Sequence, residues 1–195
     1  MNVFQYLLGQ QGRWSERRIS LSLPLKLEEL PGDGWSMSGE SSWRPGIGSK
    51  DEVTSRVWRS GAYTTVRFFE QLAASRSLWI QVLPYVSELD AGTRVSVLQN
   101  RVMNNPGRTV TEERNFAEKS IAGVSHSTVF EQFSTGRAGS GLGKYAGGSQ
   151  GRFVFIVACV AIGEGRLSEI WSWPEVISLA ELQASKICKL MCSTE

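Results

Sequence analysis

Residues 152–162 read RFVFIVACVAI, and this stretch decides the fold. It is apolar at every position after its first, and its eleven residues are about half of what a membrane-spanning helix needs. A short apolar run without a polar face is typical of a buried strand that is covered on both sides. We therefore predict a central strand that anchors the core of a sheet.

Other segments show the patterns of strands that would join this one. The segment 19–27 alternates Ile and Leu with Ser, Pro and Lys, which predicts a half-buried edge strand in a hairpin with 35–43. Two later segments are rich in β-branched and aromatic residues and predict a meander, and two more follow the first helix. These four predicted strands are 62–72, 78–86, 109–116 and 128–133.

Two segments predict amphipathic helices. Asp90 is a candidate cap for the first, whose inward positions would be Ala91, Val95, Leu98 and Val102. Ser172 and Glu175 form a capping box for the second, which carries its apolar stripe to residue 190. The fold class is therefore predicted as α+β, with an antiparallel sheet of about six to seven strands and two main helices packed on it.

One segment interrupts this pattern with glycine. Residues 136–151 contain seven glycines, so we predict a long, mobile connection between strands there.

Length and composition are those of a soluble globular protein. The chain has 195 residues, of which 41% are hydrophobic and 21% charged, which is enough apolar material for a core without disulfides or metals. We predict an N-terminal arm at 1–18 and a single α+β domain at 19–195.

Charge, hydropathy and cysteine content bear on partners and location. A net charge of +2 supplies no broad attraction for nucleic acid, and no apolar run is long enough to span a membrane. The first twelve residues lack the features of a secretory signal, and an odd number of cysteines favours free thiols. These features predict a cytoplasmic location, or an exported one if a signal has been removed.

Motifs that would carry catalysis or bind a metal are incomplete. Gly147, Ser149 and Gly151 match G-x-S-x-G, but a predicted strand follows where a nucleophile elbow needs a helix. Cys188 and Cys192 lie four apart near the end of the last helix, and the further ligands of a zinc site are missing nearby. We predict no catalytic site, no metal site and no cofactor.

Aromatic residues supply the candidate binding sites. Of the seven tryptophans, Trp35, Trp43 and Trp58 lie among Ser and Arg and predict a partly exposed patch. In the glycine-rich segment, Arg137, Lys144 and Tyr145 are further binding candidates.

The favoured function is a non-catalytic binding or accessory domain for a protein partner, with self-association as a possibility. One alternative is a carrier of a small molecule or lipid, which would have an enclosed apolar cavity. An enzyme with an unrecognised site, using His126, Tyr145 or Lys144, is the other alternative. The small-molecule ligand, where there is one, is not identified by the sequence.

Taken in chain order, the elements resemble a known family. The strand 78–86, the helix 90–103, a polar strand, a strand to 133, the glycine-rich connection, the apolar strand and the closing helix resemble the PsbP-like fold, including actinobacterial LpqN-type proteins. The likeness covers roughly residues 19–190 and rests on element order. It implies a bacterial accessory or binding protein, and no functional residue can be carried over because there is no shared motif.

Overall fold

A computed structural model describes residues 13–44, 46, 49–50, 55–100, 110–115, 120–136, 139–161 and 170–192. Within them lie three α-helices and seven strands. The helices are α1 Arg13–Ser22, α2 Glu88–Asn100 and α3 Trp173–Cys192. The strands are β1 Ser36–Trp43, β2 Thr64–Gln71, β3 Arg76–Pro84, β4 Val110–Asn115, β5 His126–Gly136, β6 Gly139–Gln150 and β7 Phe153–Ala161.

The seven strands form one open sheet in the order β1-β2-β3-β7-β6-β5-β4, and every neighbouring pair is antiparallel. Strand β7 lies between β3 and β6, which confirms that the apolar stretch is a central strand. The fold class predicted from the sequence, α+β with an antiparallel sheet, is confirmed.

Strand β7 is apolar throughout because both faces of the sheet are covered beside it. Its residues Phe153, Phe155, Val157 and Cys159 pack into the core that holds the buried stripe of α3, and we call this side the α3 face. Val154 and Ile156 point to the other side and join Ala91, Val95 and Leu98 of α2, so we call that side the α2 face. Alternate side chains therefore reach different cores.

Residues 139–150 of the glycine-rich segment form strand β6, which corrects the prediction of a long, mobile connection at 136–151. Strand β6 pairs with β5 from Gly139 to Ser149 and with β7 from Gly143 to Gln150. A Cβ atom at Gly148 would lie 2.5 Å from Cγ1 of Val124 and 2.7 Å from the carbonyl oxygen of His126. At Gly147 and Gly148 the backbones of the neighbouring strands approach too closely for a side chain, so these glycines belong to a paired strand.

The edge strand predicted at 19–27 is wrong. Helix α1 ends at Ser22, and residues 23–30, which we call the strap, follow on the α3 face with a 3₁₀ turn at Leu27–Glu29. Leu23 and Leu25 are buried there, which explains the apolar alternation. Strand β1 pairs with β2 instead of forming a hairpin with this segment.

Side chains satisfy the backbone of the strap in place of a sheet ladder. Gln183 of α3, fully buried, donates from Nε2 to the oxygen of Leu23 at 2.9 Å and accepts from the amide of Leu25 at 2.9 Å. Arg67 of β2 donates to the oxygens of Pro24 at 2.9 Å, Leu25 at 3.1 Å and Leu21, and forms an ion pair with Glu40 at 2.6 Å. Buried backbone groups must find partners, and these two side chains provide them.

The structure confirms the buried positions predicted for α2 and corrects its cap. The buried positions Ala91, Val95 and Leu98 are confirmed, whereas Val102 lies outside the described residues. The cap of α2 is Ser87 and not Asp90, because the Ser87 hydroxyl accepts from the Asp90 amide at 3.1 Å and donates to the Asp90 carboxylate at 2.6 Å.

The capping box of α3 is confirmed. Glu175 accepts from the Ser172 amide at 2.8 Å and from its hydroxyl at 2.7 Å.

Among the described helices, none is long and apolar enough to cross a membrane. Helix α1 runs across residue 18, where the sequence predicts the boundary between an arm and the domain. The division into 1–18 and 19–195 stays a prediction.

Candidate functional site

Aromatic side chains form a row across the α2 face of the sheet. Phe68, Trp79, Tyr145 and Phe130, which we call the aromatic row, come from β2, β3, β6 and β5. The strand register aligns them, because Phe68 pairs with Trp79, Trp79 and Tyr145 both pair with Ala158, and Tyr145 pairs with Phe130. Cross-strand neighbours on one face are the pairs that interact in a sheet, so the row is continuous.

Ring geometry shows that the row is packed. The Phe130 and Tyr145 rings stack with centroids 4.8 Å apart and planes within 4°. The Trp79 and Tyr145 rings meet edge to face at 6.1 Å and 69°, and together they leave Ala158 beneath them fully buried. Both arrangements are favourable for aromatic pairs.

Glycines shape the row at two points. A Cβ at Gly143 would lie 2.7 Å from Cε2 of Tyr145, so the tyrosine ring occupies the space that a side chain would take. A Cβ at Gly39 of the edge strand would lie 3.6 Å from the Phe68 ring, which therefore extends over that glycine. The rings of Tyr145 and Phe68 thus each lie over a position without a side chain, on β6 and β1.

The row is exposed at its β2 end. Phe68 keeps 39% of its surface accessible, while Trp79, Tyr145 and Phe130 are partly buried. Polar residues flank the rings on the same face, at Ser77 and Gln81 of β3 among others. None of the described strand side chains on this face belongs to Lys or Arg.

Lys144 lies on the opposite face from Tyr145, as neighbours on a strand must. It is 4% exposed, its ammonium donates to the oxygen of Trp171, and it lies 5.3 Å from the Trp173 ring centroid and 4.0 Å from Glu131. These contacts tie β6 to the start of α3, so the geometry gives Lys144 a packing role.

Trp35 belongs to a cluster at the same end of α3. The Trp35 and Trp171 rings stack with centroids 5.9 Å apart, and the guanidinium carbon of Arg76 lies 4.7 Å from the Trp171 ring centroid. Arg76 also bridges to Glu175 at 3.0 Å. Burial raises the pKa of Glu175, but hydrogen bonds from Ser172 and the charge of Arg76 outweigh it, so the pKa lies below its ordinary value.

The remaining predicted binding residues are dispersed. Trp43 is 41% exposed at the end of β1, on the α2 face. Trp58 is 43% exposed in a loop beside the first turn of α2, with the Lys50 ammonium 5.5 Å from its ring centroid. Arg137 lies outside the described residues. Of the six predicted residues, the structure places only Trp43 and Tyr145 on the face that carries the aromatic row.

The three residues proposed for an alternative enzyme site do not converge. His126 begins β5 on the α2 face, where its ring lies against Gly92, whereas Lys144 is beneath α3. Tyr145 is engaged in the row. Across the described part of the chain, no group of three or more His, Cys, Asp or Glu is placed to hold a metal ion.

Phe68, Phe130 and Trp79 are not among the binding residues predicted from the sequence. Phe68 lies next to the buried Phe69 in the sequence, so local composition shows the two as one apolar pair. A signal was available: a hairpin that turns at residues 72–75 places 68 opposite 79, on the face away from Phe69. Phe130 required the pairing of β5 with β6, which the glycine content concealed.

Comparison with known proteins shows a likeness of fold. No family model matches the chain, and no curated protein sequence matches it. Among solved structures, the extracellular domain of PknH from Mycobacterium tuberculosis is similar, with a TM-score of 0.54 and 11% identity over 89% of this chain and 96% of that one. At this identity the likeness concerns the fold alone. The named structure is not described as PsbP-like, so the resemblance to PsbP-like proteins stays a prediction.

Proposed function

We propose that this chain is a non-catalytic binding domain and that the aromatic row is its recognition surface for a protein partner. The observation that carries the proposal is the alignment of Phe68, Trp79, Tyr145 and Phe130 across one sheet face, with Phe68 exposed. Aromatic side chains are enriched at the centres of protein interfaces, where they carry most of the binding energy.

The dimensions of the row favour a macromolecular partner. From β2 to β5 it crosses five adjacent strands, which at the usual strand spacing is about 19 Å. Small molecules are generally bound in concave sites that enclose them, whereas a protein can cover a broad sheet face. The flanking Ser77 and Gln81 supply the polar rim that interfaces have around their apolar centre.

The charge of the surface supports a protein over nucleic acid. Binding to nucleic acid depends on Lys and Arg that neutralise phosphates, and the described strand side chains of this face include neither. Trp43 lies on the same face and is part of the proposed surface, whereas Trp35 and Lys144 are not. We also propose an exported location, because the structural neighbour is an extracellular domain; the cytoplasmic location predicted from the sequence is the alternative.

The test is site-specific photo-crosslinking in the cells from which the sequence comes. The photoreactive residue p-benzoylphenylalanine replaces Phe68 in one variant and Leu72 in the matched control. Leu72 is 69% exposed in the turn between β2 and β3, outside the row. We expect a single protein adduct from position 68 and none from position 72.

Two outcomes would contradict the proposal. The same adducts from both positions would mean unspecific capture, and no protein adduct from position 68 would leave the row without a partner. A small molecule released from the purified chain on denaturation, detected by mass spectrometry and absent from a Trp79→Ala variant, would favour the carrier alternative instead.

A further inference from the structure

The C-terminal turn of α3 carries three sulfur-containing residues at positions that share one side of a helix. Cys188, Met191 and Cys192 occupy positions i, i+3 and i+4, and side chains at these spacings are neighbours on a helix surface. The helix continues through Cys192, so the spacing applies to all three residues. We propose that this turn is a binding site for Cu(I), with two thiolates and one thioether as donors.

The accessibility of the three residues suits a metal site. Cys192 is exposed, Cys188 and Met191 are partly buried, and both cysteines are thiols rather than a disulfide. The Met191 sulfur is held near the turn between β6 and β7, because a Cβ at Gly151 would lie 3.2 Å from it. An ion can therefore reach the site from solvent and meet a donor whose position is fixed by packing.

The donor set selects the metal. Thiolate and thioether are soft ligands, which Cu(I) prefers, whereas structural zinc sites have four Cys, His or carboxylate ligands. In the part of the chain that the structure describes, no such third ligand accompanies the two cysteines. Methionine is not a zinc ligand, so the pattern of zinc ligands in the sequence did not predict this site.

Distances along the helix allow both thiolates to bind one ion. The Cβ atoms of an i, i+4 pair are about 5–6 Å apart. Metal–thiolate bonds of about 2.3 Å, as known for zinc, place two sulfurs roughly 4 Å apart around a three-coordinate ion, and bonds to Cu(I) are of similar length. Rotation about χ1 then closes the small difference.

The binding step is a coordination without electron transfer. Two thiols lose their protons to solvent, Cu⁺ binds both thiolates, and the complex carries one negative charge. A helix C-terminus disfavours anions, and the positive charge of Lys189 in the same turn opposes that effect.

The experiment is an anaerobic titration of the full chain with Cu(I) against bathocuproine disulfonate as competitor. We expect one Cu(I) per chain, with affinity lowered about a hundredfold or more in Cys188→Ser and Cys192→Ser and about tenfold in Met191→Leu. Cys159→Ala is the matched control, because Cys159 is fully buried in β7 beneath the other end of α3. It should bind Cu(I) as the unaltered chain does.

Each contrary result would overturn part or all of the site. Unchanged Cu(I) affinity in either serine variant would show that the two thiolates do not bind the ion together. Unchanged Cu(I) affinity in Met191→Leu would show that the thioether is not a ligand. A copper-bridged dimer in native mass spectrometry, or Zn(II) displacing Cu(I) at equal concentration, would overturn the assignment altogether. Circular dichroism of each variant checks that α3 remains folded.

Discussion

Gly148 shows at the residue scale how a missing side chain specifies a strand. A methyl group here would lie 2.7 Å from a backbone oxygen of β5, and backbone cannot move aside cheaply. We expect Gly148→Ala to lower the free energy of unfolding by about 2–3 kcal/mol, as overpacking does. Urea denaturation followed by tryptophan fluorescence measures it.

The control for this change is Gly46→Ala. The nearest atom to a Cβ at Gly46 is 3.9 Å away, and its backbone needs no positive φ. A loss at position 46 as large as that at 148 would show that close approach of the chains is not the reason for glycine in β6.

Arg67 is the second residue whose loss we expect to be severe. It is 8% exposed, and its guanidinium serves three carbonyl oxygens and the Glu40 carboxylate. Arg67→Ala removes this donor from the Leu21 and Leu25 oxygens and the cation beside Glu40, whereas the Pro24 oxygen keeps a hydrogen bond from Lys186. The loss should cost about 3–5 kcal/mol. Arg67→Lys should recover little, because an ammonium cannot reproduce the planar fork.

The same denaturation assay applies, with the exposed Arg17→Ala as reference. If Arg67→Ala loses no more stability than the Arg17 variant, the strap does not depend on this guanidinium.

At the scale of elements, the start of α3 links stability to pH. The pKa of Glu175 is lowered in the folded protein, so its contribution is present above the pKa of an unfolded Glu, about 4.3, and is lost as pH falls through the folded value. We expect Glu175→Gln to be less stable by about 1 kcal/mol at pH 7, with a smaller difference at pH 3.

Thermal unfolding of both chains at the two pH values provides the comparison, and Glu28→Gln serves as control because Glu28 and its partner Lys26 are both exposed. A gap between Glu175→Gln and the unaltered chain that persists unchanged at pH 3 would mean that the carboxylate charge does not stabilise the helix start.

The elements also show which parts of the fold the sequence could predict. Strands β2, β3 and β7 and both main helices follow from local patterns, because their apolar residues face one layer or two. Strand β1 is mostly polar and follows from the turn residues that precede it, and β4 and β5 overlap the strands predicted at 109–116 and 128–133. Strand β6 does not follow, since its glycines are explained only by neighbours such as Val124 and Phe155 that the sequence places elsewhere. The strap alternates like a strand, but its hydrogen bonds go to side chains of Arg67 and Gln183, which are remote in the chain.

Two of the five residues of the candidate site could be identified from the sequence. Tyr145 and Trp43 were identified by composition and lie on the proposed surface. Phe68 and Phe130 depended on strand register, which local composition does not specify.

At the scale of the whole molecule, Gln183 couples the two ends of the chain. It bonds two backbone groups of the strap from the middle of α3, 158 and 160 positions away. Gln183→Ala should lower the free energy of unfolding by about 3 kcal/mol, since a buried donor and a buried acceptor lose their partners. Hydrogen exchange should speed up at Leu25 in particular.

Leu182→Ala, at a 40% exposed position of the same helix, is the reference for this change. Slow exchange at Leu25 in the Gln183 variant would indicate that packing of Leu23 and Leu25 alone holds the strap in place.

The strand order has a consequence for how the chain folds during synthesis. Strands β1–β3 are consecutive neighbours in the sheet, and so are β4–β7. Among the described strands the two groups meet where β3 pairs with β7, and the paired residues are 69 to 85 positions apart in the chain. Contacts of such sequence separation form slowly. On the ribosome the first three strands cannot pair with β7 until β7 has left the exit tunnel. Nascent chains stalled before that point should remain susceptible to protease, and longer ones should become resistant.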